Sequence, residues 1–301
     1  MLIPKIVEPP HADADALRST TTAGFTPVPA DLDWQHAKDG GAPLTECRGE
    51  PAAACTVVRG KGPHILLIGD SHAWMLIPAF EAIARRDDLT LSVSVLTSCP
   101  WQRGLYPTPI TVNGVTTNTK ACEAHKEDLY SRVIPSLRPD VIAVMEVGHE
   151  DRDVTQFLGP GQRVMRDSAP GYSDWIEKTT SDSLDALGAD GRKVLMIEPI
   201  PVAPSDPLAC LSKAKVLEEC RYVASHNADN MERVYRGLAD HDDRAWTLDL
   251  DRLVCPYLPI CDPVVDHQIV KFDTSHLTAK FVVSIAPAIN AYLEDNGLIP
   301  R

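Results

Sequence analysis

The chain is predicted to fold as a three-layer α/β/α sandwich around a five-stranded parallel sheet. Three observations lead there. Short apolar runs bounded by turn residues alternate with segments of helical periodicity along most of the sequence. Two of the runs, within 64–68 and 140–147, are continuously apolar from Ile65 to Ile68 and from Val141 to Met145, as in strands covered on both faces. The residues able to do chemistry fall just past the ends of these runs, where open α/β sheets hold their sites.

Residues 1 to 45 are rich in Pro, Ala, Asp and Thr with little periodicity, and read as a linker or extended lead-in to one domain over 46–301. The first strand is His64 to Ile68, broken by Gly69 and Asp70. Ala73, Leu76, Ile77, Phe80, Ile83 and Ala84 then recur at helical spacing, predicting a helix from His72 to about Arg86. Leu89 to Leu96 alternates with period two, as a half-buried strand does, and Pro100 to Thr119 is a long loop rich in Pro, Gly and Thr. A helix from Cys122 to Leu137 ends at Arg138-Pro139, and Asp140 to Val147 is the third strand. An irregular connection over 149–171 leads to a helix from Tyr172 to Leu187. Lys193 to Pro199 is the fourth strand, residues 212–239 hold one or two helices, and Ala245 to Leu250 is the fifth strand. A cysteine-bearing loop over 255–272 precedes the last helix, from about Leu277 to Leu293.

The bulk numbers narrow the class. With 44% hydrophobic residues in 301, the chain can bury a substantial core. A net charge of −13 argues against nucleic acid and against docking on an anionic membrane surface. The eight cysteines include no C-x2-C pair, which disfavours a zinc site, and their even count in proline-containing loops fits disulfides formed in an oxidising compartment. Proximity pairs them as Cys47–Cys55, Cys99–Cys122, Cys210–Cys220 and Cys255–Cys261, one scheme of the ~105 that eight cysteines allow. The N-terminal residues have neither the basic start nor the long apolar run of a signal peptide, and no stretch reaches the ~18 apolar residues of a membrane helix. The expectation is a piece of a longer secreted or membrane-anchored protein.

Ser71 sits where the first strand turns into a helix, so its hydroxyl is exposed beside the unpaired N–H groups of a helix N-terminus, which favour developing negative charge. A serine nucleophile needs a base and a carboxylate to orient that base. Asp273 and His276, three residues apart before the last helix, can present both side chains to one point. On Gly69-Asp70-Ser71-His72-Ala73 and Asp273-Thr274-Ser275-His276-Leu277-Thr278, the chain resembles the SGNH (GDSL-type) hydrolase superfamily, whose sheet is flavodoxin-like. More closely, it is similar to the extracytoplasmic SGNH domain fused behind a membrane acyltransferase-3 domain. Ser98-Cys99-Pro100, Pro139-Asp140-Val141-Ile142, and Cys255 with Cys261 carry that closer likeness, which extends over roughly 45–297.

The resemblance implies Ser71 as nucleophile, His276 as base, Asp273 as its orienting partner, and an oxyanion hole that includes the Ser71 N–H. It also implies a glycine donor after the second strand and an asparagine donor after the third. Here the third strand is followed by Gly148-His149-Glu150-Asp151, with Glu150 in the asparagine place. An ionised carboxylate donates no hydrogen bond, so either His149 substitutes or the site lacks that donor. His72 is a further candidate to line the pocket. Trp101 and Arg103 are candidates to stack on a sugar ring or bind an acyl carboxylate. No metal or cofactor is expected. Asp262, Asp266 and His267 follow no metal-ligand spacing.

The expected function is an extracytoplasmic acyltransferase domain. It would pass an acyl group, acetyl by preference, from a donor supplied by a membrane acyltransferase domain to a hydroxyl of a cell-envelope glycan or glycolipid. Two rivals stand beside it: a secreted carbohydrate esterase using the same residues, and a non-catalytic glycan-binding module. A Ser71 Oγ to His276 nitrogen separation beyond ~4 Å would favour the last.

Overall fold

In β2 (His64–Gly69), successive side chains point to opposite faces, and both faces are apolar. Ile65 and Leu67 join one buried cluster, Leu66 and Ile68 the other. The same alternation splits Val141, Ala143 and Met145 from Ile142 and Val144 in β4 (Val141–Met145), and Leu195 and Ile197 from Val194 and Met196 in β5 (Lys193–Ile197). A sheet apolar on both faces needs a cover on each, at about 1.5–3 kcal/mol for every large aliphatic side chain taken fully out of water. The computed structural model, which describes residues 25–42, 47–108, 111–112, 115–116, 119–148, 157–158, 164–165, 169–224 and 230–301, supplies both covers.

The sheet order is β1 (Thr56–Val58), β3 (Thr90–Val95), β2, β4, β5, β6 (Ala245–Leu248). β3, β2, β4, β5 and β6 are parallel, and β1 runs antiparallel along the edge of β3. The expected parallel strands are therefore all present, with one added edge strand. Three residues, Thr56-Val57-Val58, are too few to register as a period. They pair where they do because the Cys47–Cys55 bridge and the turn at Cys55 deliver them to the open edge.

The first cover contains α2 (Ile77–Arg86) and α6 (Ala279–Asp295); the second contains α4 (Tyr172–Leu187), α5 (Asn230–Ala239) and the turn Leu129–Val133 that continues α3 (Thr119–Asp128). The helix expected over 72–86 is broken into α1 (Ser71–Met75) and α2. Pro78 is the cause: it has no N–H to donate to Trp74, and its ring would collide with that carbonyl in a continuous helix. The helix expected over 122–137 begins earlier, at Thr119, passes through a π-helical turn at Leu129–Val133, and stops at Arg138 in the left-handed region. Between 207 and 239 the described residues form the helix Pro207–Leu211, capped by Asp206, a 3-10 turn over Leu217–Cys220, and α5. All four disulfides pair as proximity suggested.

Of the lead-in, residues 25–42 lie against the domain. The Val28 N–H donates to the Lys215 carbonyl, the Leu217 N–H to Thr26, and Leu32 and Ala37 join a buried cluster with Leu208 and Leu211. Among the described residues no helix is long and apolar enough to cross a membrane.

Candidate active site

Gly69 and Asp70 fix the turn that carries Ser71. Gly69 lies between Val95 and Met145 with φ at +141°, and a Cβ there would stand 1.8 Å from the Met145 carbonyl oxygen. Only glycine lets the chain pass so close to β4 in this conformation. Asp70 then caps α1. One of its carboxylate oxygens accepts from the His72 N–H at 2.8 Å, the other from the Val147 N–H at 3.1 Å. The carboxyl thus ties the turn that carries Ser71 to the chain leaving β4. It is almost wholly buried, and burial, with the nearby negative charge of Glu146, pushes its pKa up to about 6 against the pull of the two N–H donors.

Ser71 Oγ lies 2.8 Å from His276 Nε2, inside the ~4 Å limit set for a working pair. On the far side of the ring, His276 Nδ1 lies 2.8 Å from Asp273 Oδ2. With its proton on Nδ1, the imidazole donates to Asp273 and leaves Nε2 to accept from the serine hydroxyl. Asp273 is itself held in place: its other oxygen accepts the backbone N–H groups of Ser275 at 2.8 Å and His276 at 2.7 Å. Burial works to raise the Asp273 pKa, but the hydrogen bond and charge of His276 and the two N–H donors outweigh it. The carboxyl stays well below the usual carboxylate range and is ionised at neutral pH.

The His276 ring has aromatic neighbours. The Phe272 ring is nearly parallel to it, at 12° with centroids 5.5 Å apart, and the His72 ring is tilted at 55° and 5.0 Å. The arrangement is a hydroxyl with a general base in reach and a fixed carboxylate behind that base, at the carboxyl end of a parallel sheet. Those parts suffice to attack an acyl carbon and relay its proton.

The remaining candidates are placed differently. His72 is in the interior, with 1% of its surface exposed and its ring against that of His276. Trp101, one of the candidates to stack on a sugar, is a core residue at 1% exposure: its Nε1–H donates to the Tyr235 hydroxyl at 2.9 Å. The proline-rich loop that carries it folds inward because its polar groups find buried partners there. Arg103 is exposed, but it lies 5.2 Å over the Tyr130 ring, and its N–H donates to Ser183 Oγ at 2.8 Å. It is thus anchored between the π-helical turn and α4. His149, Glu150 and Asp151 lie outside the described residues.

Two features escaped sequence reasoning. One is a buried polar network directly after β4. Glu146 Oε1 accepts from the Tyr235 hydroxyl at 2.7 Å and from Gln102 Nε2, and Lys126 Nζ donates to the Gln102 carbonyl at 2.6 Å and to that of Leu105. Burial pushes the Lys126 ammonium down to about 7 against the opposing pull of Glu146. Glu146 ends an apolar run, and that polar interruption is the one signal that could have marked it. The other is Phe272, whose position beside Asp273 carries no periodic signature. Among the described residues no group of three His, Cys, Asp or Glu could hold a metal ion.

Comparison with known proteins follows the same line. The family described as SGNH domain (fused to AT3 domains) matches residues 35–291. No curated protein matches the chain. The periplasmic domain of a lipopolysaccharide acetyltransferase from Salmonella ser. Paratyphi A is similar over 84% of this chain and 91% of its own, with 14% identity and a TM-score of 0.53. Axe2, an acetylxylan esterase from Geobacillus stearothermophilus, aligns over 79% of this chain and 95% of its own, with 12% identity and a TM-score of 0.45. At such identities the likeness to the Salmonella domain is one of fold.

Proposed function

The chain belongs to the SGNH domains that occur fused to AT3 domains, and from that membership and the Ser71–His276–Asp273 hydrogen-bond series we propose that it is the extracytoplasmic domain of an O-acyltransferase. The observation that carries the reading is the 2.8 Å contact between Ser71 Oγ and His276 Nε2, with Asp273 behind. Four disulfides support a place in an oxidising compartment.

In the first half-reaction Ser71 Oγ attacks the acyl carbonyl carbon of the donor as its proton passes to His276 Nε2. The Ser71 N–H, at the first position of α1 with no partner inside that helix, donates to the oxyanion. The bond to the leaving group breaks, His276 returns the proton to that group, and Ser71 is left as an ester. In the second half, an acceptor hydroxyl of a cell-envelope glycan or glycolipid gives its proton to His276 and attacks the ester, and Ser71 recovers its proton. Asp273 stabilises the imidazolium in both halves. In the full protein a membrane acyltransferase domain supplies the donor. Water in place of the acceptor makes the same groups an esterase, so transfer depends on how well an acceptor is held in line with the ester.

The test is intact-mass spectrometry after exposure to p-nitrophenyl acetate, with and without sugar acceptors. An acetyl adduct on Ser71, absent from Ser71→Ala and discharged faster by a sugar hydroxyl, is the expected result. Equal labelling of Ser71→Ala overturns the reading, and fast turnover indifferent to any sugar replaces it with the esterase.

A further inference from the structure

The two rings beside His276 raise the question of what stops the imidazole from turning away from Ser71. We propose that Phe272 is a positioning residue for His276, pressed onto the imidazole by the backbone of Asp39–Ala42. This rests on the functional reading just given, and concerns how the base of that reaction is held.

The first observation is local. Lys271 and Leu277 form an antiparallel bridge, the Phe272 N–H donates to the His276 carbonyl at 3.1 Å, and the Thr278 N–H to that of Val270 at 3.0 Å. Residues 270–278 are thus a hairpin with Asp273-Thr274-Ser275 at its tip, and Phe272 and His276 face each other across it. Cross-strand neighbours meet side chain to side chain, which accounts for the near-parallel rings. One turn therefore sets three things together: the carboxylate, the imidazole and the aromatic face beside it.

The second observation lies behind Phe272. A Cβ on Gly40 would stand 3.2 Å from Phe272 Cε1 and 2.2 Å from Trp74 Cη2, and one on Gly41 would stand 2.0 Å from the Trp74 carbonyl oxygen. The backbone at 40 therefore lies on both aromatic side chains and that at 41 on Trp74, and the approach to Trp74 is one that no residue with a Cβ allows. It is fastened at each end. The Asp39 carbonyl accepts the Ala279 N–H at 2.9 Å, at the start of α6, and the Ala42 carbonyl accepts Trp74 Nε1–H at 2.6 Å, on α1. These are the helices that follow His276 and carry Ser71. The strap thus joins the two halves of the site and backs the ring beside the base.

The physical effect is twofold. A ring stacked on one face restricts the tilt of the imidazole, so Nε2 stays aimed at Ser71 Oγ without an entropic search before each proton transfer. An aromatic face also favours the positive charge that His276 gains as Ser71 attacks. Leucine at 272 keeps the apolar volume but supplies neither effect, whereas tyrosine supplies both.

The experiment compares single-turnover acylation of Ser71 by p-nitrophenyl acetate in wild type, Phe272→Leu and Phe272→Tyr, with kcat and KM measured on the same ester. Phe272→Leu should lower the acylation rate and kcat about tenfold to a hundredfold at unchanged KM, and Phe272→Tyr should return to within about threefold of wild type. A wild-type rate in Phe272→Leu, a loss that appears in KM alone, or a Phe272→Tyr no better than Phe272→Leu each overturns the proposal. Failure of the wild type itself to form a Ser71 adduct would instead overturn the acyl-transfer reading, so the two failures are distinguishable.

Discussion

Replacing Asp273 by asparagine tests the assignment of the base with little disturbance to the fold. The aspartate accepts two backbone N–H groups on one oxygen and His276 Nδ1 on the other. In Asp273→Asn the amide oxygen keeps the two backbone donors, which leaves the amide nitrogen facing Nδ1. That nitrogen can only donate, so the imidazole must accept through Nδ1 and carry its proton on Nε2. The ring then donates toward Ser71 Oγ instead of accepting from it, and the hydroxyl proton has no route out. A serine–histidine pair locked in the wrong tautomer loses about 10³–10⁴ in rate, which is roughly 4–5.5 kcal/mol of transition-state stabilisation. Stopped-flow release of p-nitrophenol gives the acylation rate directly, and a thermal melt confirms an unchanged fold. A folded Asp273→Asn that acylates within tenfold of wild type would refute the tautomer argument and with it the role given to Asp273.

Two further outcomes follow from the turn at the head of the site. Gly69→Ala must place a Cβ against the Met145 carbonyl at a φ of +141°, and a loss of about 2–5 kcal/mol is expected from backbone strain and overpacking together; a urea midpoint equal to wild type would contradict the close approach described. For Asp70 the folded pKa of about 6 is above that of an unfolded aspartate, so the folded state binds the proton more tightly. Its contribution to stability is fully present below about pH 4 and is lost as pH rises through about 6, on the order of 3 kcal/mol. The stability of wild type relative to Asp70→Asn should therefore fall between pH 4 and 7 in urea titrations, and a difference independent of pH would show that the buried carboxyl does not titrate there.

How far the sequence disclosed this architecture differs from element to element. The buried strands were legible because a continuous apolar run of five or so residues has few other uses, and α4 because its period is undisturbed from Tyr172 to Leu187. The edge strand Thr56–Val58 was not, since three residues carry no period and its place depends on a partner far along the chain. Pro78 was visible in the sequence, yet its effect was masked by apolar spacing that runs straight through the break at Leu76. At the site, Ser71, Asp273 and His276, which the structure brings together, were readable as a set because each of the proposed roles demands a particular residue type. Trp101 could not be placed from sequence because a loop rich in Pro and Gly looks exposed, whereas its side chain is buried. The buried acceptors that draw it inward, Glu146 among them, come from other elements. Phe272 and Gly40 were invisible for a related reason: neither does chemistry, and their effect exists only where two distant segments touch.

The hydroxyl and the imidazole that meet at 2.8 Å are 205 positions apart in the chain. One leaves the first parallel strand, and the other precedes the final helix, so every intervening strand must find its neighbour before they can touch. On the function proposed, reactivity of Ser71 toward an activated ester would accordingly report on completed folding: a chain still emerging from its synthesis, or cut anywhere ahead of residue 276, would have the hydroxyl without the imidazole that takes its proton.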